Sequence, residues 1–319
     1  MKRKIIIHNP KSYRYRKYYN VFFDHLIKKL HTKFDVIENR DWPYAHEKPF
    51  PVKLMCNDAS TAGLLECEMI LENFDTKKLK ILSVCDLYTD VNLRLFNSDQ
   101  YKDYIETVLI SQFNRKSIEH HTYGMNGTIY KPWIYFPSGV YNFDKLYRQR
   151  QKKKNLIDKF YFRGSGVNPG EHRPLVSLFD QKLFYGGGSI GNFDTYSEEA
   201  INYAVGFSCA GTAQFCYRDI EYMAMGILML RFRYINEMEP QLIPNKHYIS
   251  TDEIFDTHEE HHLNDKHARM IENKFLQIKN NYDFLEYISK NARSYYLNYI
   301  HKNIGIQHTI DILNLDQWY

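Results

Sequence analysis

Short apolar runs alternate with segments of helical periodicity along much of the chain. Residues 5–7 form an apolar run closed by Asn9-Pro10, which predicts a buried first strand. Residues 18–30 repeat apolar positions at helical spacing, and residues 34–37 are a second strand candidate. Strands that alternate with helices predict an α/β fold built on parallel sheets. Further apolar runs of strand length lie at residues 67–71, 80–85, 107–111, 159–162, 182–185, 203–209 and 227–230.

The segment between the last two of these strands predicts a helix whose two faces differ. Ile220, Met223 and Ala224 recur at helical spacing and can face a sheet. Arg218 and Glu221 lie three residues apart and share the other face near the start of the helix. At a strand-to-helix junction such a pair could hold a phosphate and a ribose. A simple ion pair on a solvated helix is the alternative interpretation.

Two short stretches resemble a known family. The run 217–226, Tyr-Arg-Asp-Ile-Glu-Tyr-Met-Ala-Met-Gly, and the apolar strand after it resemble the donor-site helix of exostosin-type and related GT-B glycosyltransferases. The run 160–165, Phe-Tyr-Phe-Arg-Gly-Ser, with Arg173 ten residues after its arginine, is similar to a Phe-Arg-Gly…Arg element of the same enzymes. The resemblance spans residues 159–250. Leu228-Met229 stands where that family has Pro-Val.

The resemblance implies two Rossmann-like domains that face each other across a cleft, with a C-terminal helix crossing back to the first domain. We expect an acceptor-binding domain at residues 1–142, a basic linker at 143–158, a donor-binding domain at 159–300 and a packed tail at 301–319. The implied activity moves a sugar from a UDP- or GDP-linked donor to a glycan hydroxyl or similar acceptor. Such enzymes occur in bacteria and in large DNA viruses.

The resemblance also assigns the donor site. Guanidinium forks match phosphate geometry and could stabilise a departing diphosphate without a metal. No Asp-x-Asp element in a strand context suggests a metal either, so we expect no cofactor. The implied diphosphate ligands are Arg163, Arg173, Arg218 and the backbone amides of Gly211 and Thr212, and the implied nucleoside ligands are Ser165, Tyr217 and Glu221.

Asp86 is the first candidate for a catalytic base. It follows the strand at residues 80–85, and ligands of open α/β sheets lie beyond the carboxyl ends of strands. Glycosyl transfer needs the attacking hydroxyl to lose its proton, which a carboxylate in the first domain could accept with inversion at the sugar. A helix cap or loop carboxylate is the alternative role, and Asp58 and His8 are further candidates.

Composition narrows the class of protein. A net charge of +4 in 319 residues, with the basic residues dispersed, argues against a dedicated nucleic-acid binder. Five cysteines without CxxC spacing indicate no disulfide framework and favour a reducing compartment. We find no signal-peptide pattern and no apolar run of about 18 residues. These features predict a cytoplasmic protein without membrane insertion, in the host cytoplasm if the source is viral.

Three patterns leave alternatives open. His258, Glu259 and His262 match the H-E-x-x-H zinc pattern of hydrolases, with Glu272 or Glu286 as a third ligand, although Thr257 and Glu260 resemble a capping box. The glycines at 186, 188 and 191 fit the letters of G-x-G-x-x-G, but residues 192–196 are a poor helix opening, so we expect the next helix near residue 197. A non-catalytic nucleotide- or carbohydrate-binding module is the third alternative.

Overall fold

The computed structural model describes residues 2–8, 16–39, 67–83, 104–110, 129–132, 141–164, 173–188, 192–209, 215–234, 237–254 and 263–318. The strands are β1 Lys4–His8, β2 Asp35–Asn39, β3 Cys67–Asn73, β4 Leu79–Ser83, β5 Ile105–Ile110, β6 Ile129–Pro132, β7 Ile157–Arg163, β8 Phe184–Gly187, β9 Tyr203–Phe207, β10 Leu228–Arg233 and β11 Ile249–Ile254. The α-helices are α1 Arg16–Lys33, α2 Phe143–Gln151, α3 Phe193–Ala200, α4 Tyr217–Met225, α5 Asp265–Ile278, α6 Tyr282–Tyr299 and α7 Lys302–Leu313.

The chain divides into two compact units. The first unit contains residues Met1–Val140, Asn236–Glu239 and Lys302–Tyr319, and the second contains Tyr141–Ile235 and Pro240–His301. Each unit is built on its own sheet, so the chain has two α/β domains.

The first sheet has the strand order β2-β1-β3-β4-β5-β6. The strand pairs β1–β2, β4–β5 and β5–β6 are parallel, but β3 runs antiparallel to both β1 and β4. The expectation of a wholly parallel sheet is therefore wrong for this strand. The reason is visible in the chain, because only five residues separate β3 from β4, too few for the crossover that a parallel pair requires.

The C-terminal segment belongs to the first unit. Ile306, Ile310 and Leu313 of α7 join the core formed by α1 and the first sheet. Beneath them the fully buried Lys80 of β4 donates from Nζ to the Leu313 carbonyl at 2.6 Å. The ammonium group also lies 3.2 Å from Glu106, so the end of the chain is tied to the sheet by a buried charge. The C-terminal helix thus returns to the first domain, as the resemblance implied.

The second sheet has the order β11-β10-β9-β7-β8, and all its pairs are parallel. One apolar cluster covers a face of this sheet, with Phe160, Phe207 and Leu230 from the strands and Phe275 and Ile288 from α5 and α6. The carboxyl ends of its strands, where α/β proteins bind ligands, are formed by residues that follow β7, β8 and β9.

One prediction for this unit differs from the structure. Residues 143–158, predicted to be a basic linker, instead form α2 and the start of β7, because Phe143 and Arg150 give the polar run a buried face. Residues 279–281 separate α5 from α6, and Asn281 accepts a hydrogen bond from the Phe284 amide at the start of α6. Within the described part of the chain, we find no helix of the length and hydropathy needed to cross a bilayer.

Candidate functional site

The predicted strand–helix–strand unit is present as β9, α4 and β10. Ile220, Met223 and Ala224 are fully buried under the helix, as their spacing predicted. The helix ends at Gly226, whose φ of 77° lies in the left-handed region that favours glycine. Because β9 and β10 are parallel, α4 begins at the carboxyl end of β9 and returns the chain to the amino end of β10.

A buried network fixes the first turn of α4. Asp219 is 0% exposed, and its carboxylate lies 2.7 Å from Nη1 of Arg231, which is 2% exposed. The same carboxylate accepts hydrogen bonds from the Ser208 hydroxyl and from the Cys216 amide. The guanidinium of Arg231 stacks 3.3 Å from the Tyr234 ring. The start of the helix is thereby joined to the ends of both neighbouring strands.

The motif comparison missed this network, although the sequence contains a signal for it. Arg231 follows directly on a continuous apolar run in β10, where a charged side chain has to be buried. A buried arginine needs a partner, and Asp219 in the first turn of the preceding helix is close in sequence. The resemblance to known enzymes assigned roles only to Arg218 and Glu221, which lie before and after Asp219 on the helix.

Arg218 lies at the carboxyl end of β7. Its Nη2 donates to the backbone carbonyl of Arg163, and its guanidinium lies 4.3 Å from the centre of the Phe162 ring. Its Nε is buried and has no hydrogen-bond partner among the described residues. Desolvation acts to lower the pKa of Arg218, but Tyr196 and other neighbouring groups outweigh it and raise the pKa, so the side chain stays protonated. The site therefore holds a cation with unused donor capacity.

Glu221 lies one turn further along α4 and is partly accessible to solvent. Desolvation raises the pKa of its carboxyl above 4.5, although Arg218 and Tyr196 each act to lower it. The Tyr196 hydroxyl is itself buried without a hydrogen-bond partner in the described structure. Next to it, Tyr222 donates to the Tyr161 carbonyl at 3.3 Å. The surroundings of Glu221 thus combine a desolvated carboxyl, a cation and a buried tyrosine hydroxyl.

The side chain of Arg163, which the resemblance implied as a diphosphate ligand, forms an ion pair within the chain. Its Nη2 and Nε donate to the two carboxylate oxygens of Glu199 at 2.8 and 3.3 Å. The same guanidinium lies over the Tyr185 ring at 5.2 Å. Only the carbonyl of Arg163 meets Arg218, so the structure brings the two residues together through backbone and not through their charges.

The glycine-rich turn after β8 lies in a strand-to-helix context. Gly186 has a φ of 145°, and a Cβ there would overlap the Phe162 carbonyl, so β8 can approach β7 only with glycine at this position. Helix α3 begins at Phe193, with Asn192 accepting a hydrogen bond from the Asp194 amide. The expected helix start near residue 197 is therefore wrong, because Asn192 supplies the cap. Residues 189–191 of the turn lie outside the described residues.

The structure describes the remaining predicted site residues to different extents. Tyr217 is described and is exposed at the first position of α4. For Arg173 and His8 the structure describes the backbone alone, in a short 3₁₀ helix and at the end of β1. The predicted residues that fall outside the described residues are Asp58, Asp86, Ser165, Gly211, Thr212, His258, Glu259 and His262.

The remaining candidates for metal ligation have other partners. Glu272 accepts a hydrogen bond from the Asp180 amide at 2.6 Å, and Glu286 pairs with Lys290 at 2.6 Å. Where the structure describes the chain, no three or more His, Cys, Asp or Glu side chains are grouped in a way that could hold a metal ion.

Comparison with solved structures identifies the architecture. A glycosyltransferase from Rickettsia africae superimposes over 98% of both chains, with a TM-score of 0.52 and 12% sequence identity. Anabaena Alr3699/HepE, solved in complex with UDP and glucose, covers 99% of this chain and 100% of its own, with a TM-score of 0.51 and 10% identity. The chain has the fold of these proteins, GT-B, with two Rossmann-like domains.

No family model matches the chain. A search of the curated proteins by sequence gives no match either.

Proposed function

We propose that the protein is a glycosyltransferase that binds a nucleoside diphosphate sugar at the carboxyl end of the second sheet. The observation that carries this proposal is the pair formed by Arg218 and Glu221 on α4. Both side chains are placed at a ligand-binding edge of a parallel sheet, and the arginine retains a buried N–H without an acceptor. The fold supports the proposal, because the solved structures that share it include glycosyltransferases.

The chemistry follows from charge. Transfer of the sugar leaves a nucleoside diphosphate that gains negative charge as the glycosidic bond breaks. A guanidinium held in place by a backbone carbonyl and an aromatic ring can stabilise that charge without reorganising. A carboxylate one helical turn away can accept hydrogen bonds from the two ribose hydroxyls. Arg218 would thus bind the diphosphate and Glu221 the ribose.

Arg163 can contribute in one of two ways. Its ion pair with Glu199 is partly exposed, and exposed pairs are weak, so a diphosphate could displace the carboxylate. Alternatively the pair remains and Arg163 acts only through its carbonyl, which holds the Arg218 guanidinium. The effect of Glu199→Gln on donor affinity distinguishes these cases, because removing the competing carboxylate should raise the affinity only in the first.

The finer assignments complete the proposal. Asp86 would be the base that deprotonates an acceptor hydroxyl, with inversion and without a metal. Arg173, Gly211, Thr212, Ser165 and Tyr217 would complete the donor site. UDP is the first nucleotide to test, since Anabaena HepE was solved with it.

Thermal unfolding with a panel of nucleoside diphosphates and their sugars tests the donor site. A ligand at one hundred times its dissociation constant stabilises the folded state by about 2.7 kcal/mol. Arg218→Ala should remove this stabilisation, whereas Arg148→Ala, an exposed arginine on α2, should leave it unchanged. A nucleotide response that is equal in the two variants would refute the assignment of α4. Binding without turnover of any sugar donor would indicate a non-catalytic module.

A further inference from the structure

A second pocket lies at the opposite end of the second sheet. It has a volume of about 600 Å³, and its lining includes residues from the amino-terminal ends of three parallel strands, Ile157, Ala204 and Leu228. The donor site proposed above lies at the carboxyl ends of these strands. Because β7 has seven residues, the two sites are separated by roughly 20 Å along the strand.

Cations dominate the wall of this pocket. Six basic side chains line it against two carboxylates. The carboxylates are already engaged, because Asp158 pairs with Lys279 at 2.7 Å and Glu286 with Lys290 at 2.6 Å. The remaining basic residues are Arg150, Lys153, Lys154 and Lys159.

Arg150 has an exceptional environment. Three arginines are buried among the described residues, and two of them contact carboxylates: Arg231 meets Asp219 at 2.7 Å and Arg293 meets Asp144 at 2.8 Å. Arg150 is 8% exposed and has no carboxylate partner in the described part of the chain. Its Nε is buried without an acceptor, and its best contact is a 3.5 Å bond from Nη2 to a backbone carbonyl.

This burial has an energetic cost that an anion would offset. Desolvation lowers the pKa of Arg150 to about 10. A buried cation without a counter-charge destabilises a fold, and a ligand carrying negative charge would supply that counter-charge. Nearby, among the residues that the structure describes, Lys153 and Lys159 donate only to neutral oxygens, those of Asn202 and Gln181. They can therefore add to the field at Arg150 without being neutralised.

We propose that this pocket is a binding site for a phosphate-bearing ligand, with Arg150 at its base and Lys154 at its rim. Phosphate fits better than a single carboxylate because it brings up to two charges and three acceptor oxygens to a cationic wall. The volume lies within the range of small-molecule sites, and Tyr147, Phe275 and Tyr282 provide an apolar side for the rest of the ligand. The phosphate could belong to a soluble metabolite or to a lipid head group.

Titration of the full-length Arg218→Ala variant with inorganic pyrophosphate tests the site, because this background lacks the arginine proposed to bind a diphosphate at the donor site; the substitutions below are compared in it. Lys154→Glu reverses a charge on the exposed rim and should weaken binding about tenfold or more. Lys152→Glu is the matched control, because Lys152 belongs to the same basic run but does not line the pocket. Arg150→Met should abolish binding. If that variant fails to fold, the comparison of the two exposed lysines still decides the question.

Two further arms complete the experiment. Binding at the pocket should persist in Arg218→Ala, which separates this inference from the donor site, so either can fail alone. Cosedimentation with phosphatidylcholine vesicles containing a phosphatidylinositol phosphate identifies the source of the phosphate. Vesicle binding that is lost in Lys154→Glu would place the phosphate on a lipid, and pyrophosphate binding alone would place it on a soluble ligand. No binding of either probe, or equal binding by Lys154→Glu and Lys152→Glu, would overturn the proposal.

Discussion

Replacing Asp219 by asparagine should strongly destabilise the second unit. The substitution keeps an oxygen for the Cys216 amide but removes the negative charge that Arg231 contacts at 2.7 Å. Both residues are almost fully buried. Removing one partner of a buried ion pair typically costs about 3–5 kcal/mol. Since a whole domain is stable by about 5–15 kcal/mol, this is a large share of its stability.

The matched control is Asp194→Asn. Asp194 also occupies the first turn of a helix, α3, but it is exposed. Its charge interacts with the helix dipole and solvent, which is worth about 0.3–1 kcal/mol. Denaturant unfolding followed by far-UV circular dichroism measures both variants. If Asp219→Asn costs no more than Asp194→Asn, the buried network does not stabilise the unit and our account of α4 is wrong.

Three shorter predictions concern other parts of the chain. In the wild type the pKa of Glu221 is raised, so above pH 4.5 the folded state holds more protons than the unfolded state. The free energy of unfolding should therefore fall by at most about 1.4 kcal/mol per pH unit as the pH rises through that pKa. Glu221→Gln should abolish this fall, and unfolding at a series of pH values measures it. Gly186→Ala should destabilise by about 2–4 kcal/mol because of its φ and a backbone overlap, whereas Gly188→Ala, with open space around it, should change the unfolding midpoint little. Lys80→Met should expose the C-terminal helix to proteolysis by removing the buried bond to Leu313; cleavage at the wild-type rate would contradict this.

Much of the second unit could be predicted from the sequence because its apolar runs are continuous and short. β7, β9 and β10 are such runs, and parallel strands buried on both faces have this pattern. The antiparallel β3 was missed because its composition resembles that of its neighbours. The length of the connection to β4, and not the strand itself, determines its direction.

The contacts of the polar side chains at the site were less predictable, because spacing along a helix does not identify the residues that a side chain will contact. The motif correctly placed Arg218 and Glu221 on one helix but gave no indication that Arg163 pairs with Glu199, 36 residues later. Long-range pairs of this kind depend on how the strand and the helix are packed. The burial of Arg150 shows the same limit, since a basic run at the surface of a helix has one arginine that faces inward.

The rotation of α4 about its own axis decides which of its charged residues a ligand can reach. Neighbouring residues on a helix differ by about 100°, so Arg218 and Asp219 cannot face the same direction. The bond from Asp219 to Arg231 selects the rotation in which Asp219 is buried and Glu221 is partly accessible. In the double variant Asp219→Asn, Arg231→Met no charge remains to be buried, so most of the lost stability should return. If the pair also orients the helix, nucleotide affinity should remain below that of the wild type in this stable variant. Full recovery of both stability and affinity would show that the pair has no orienting role.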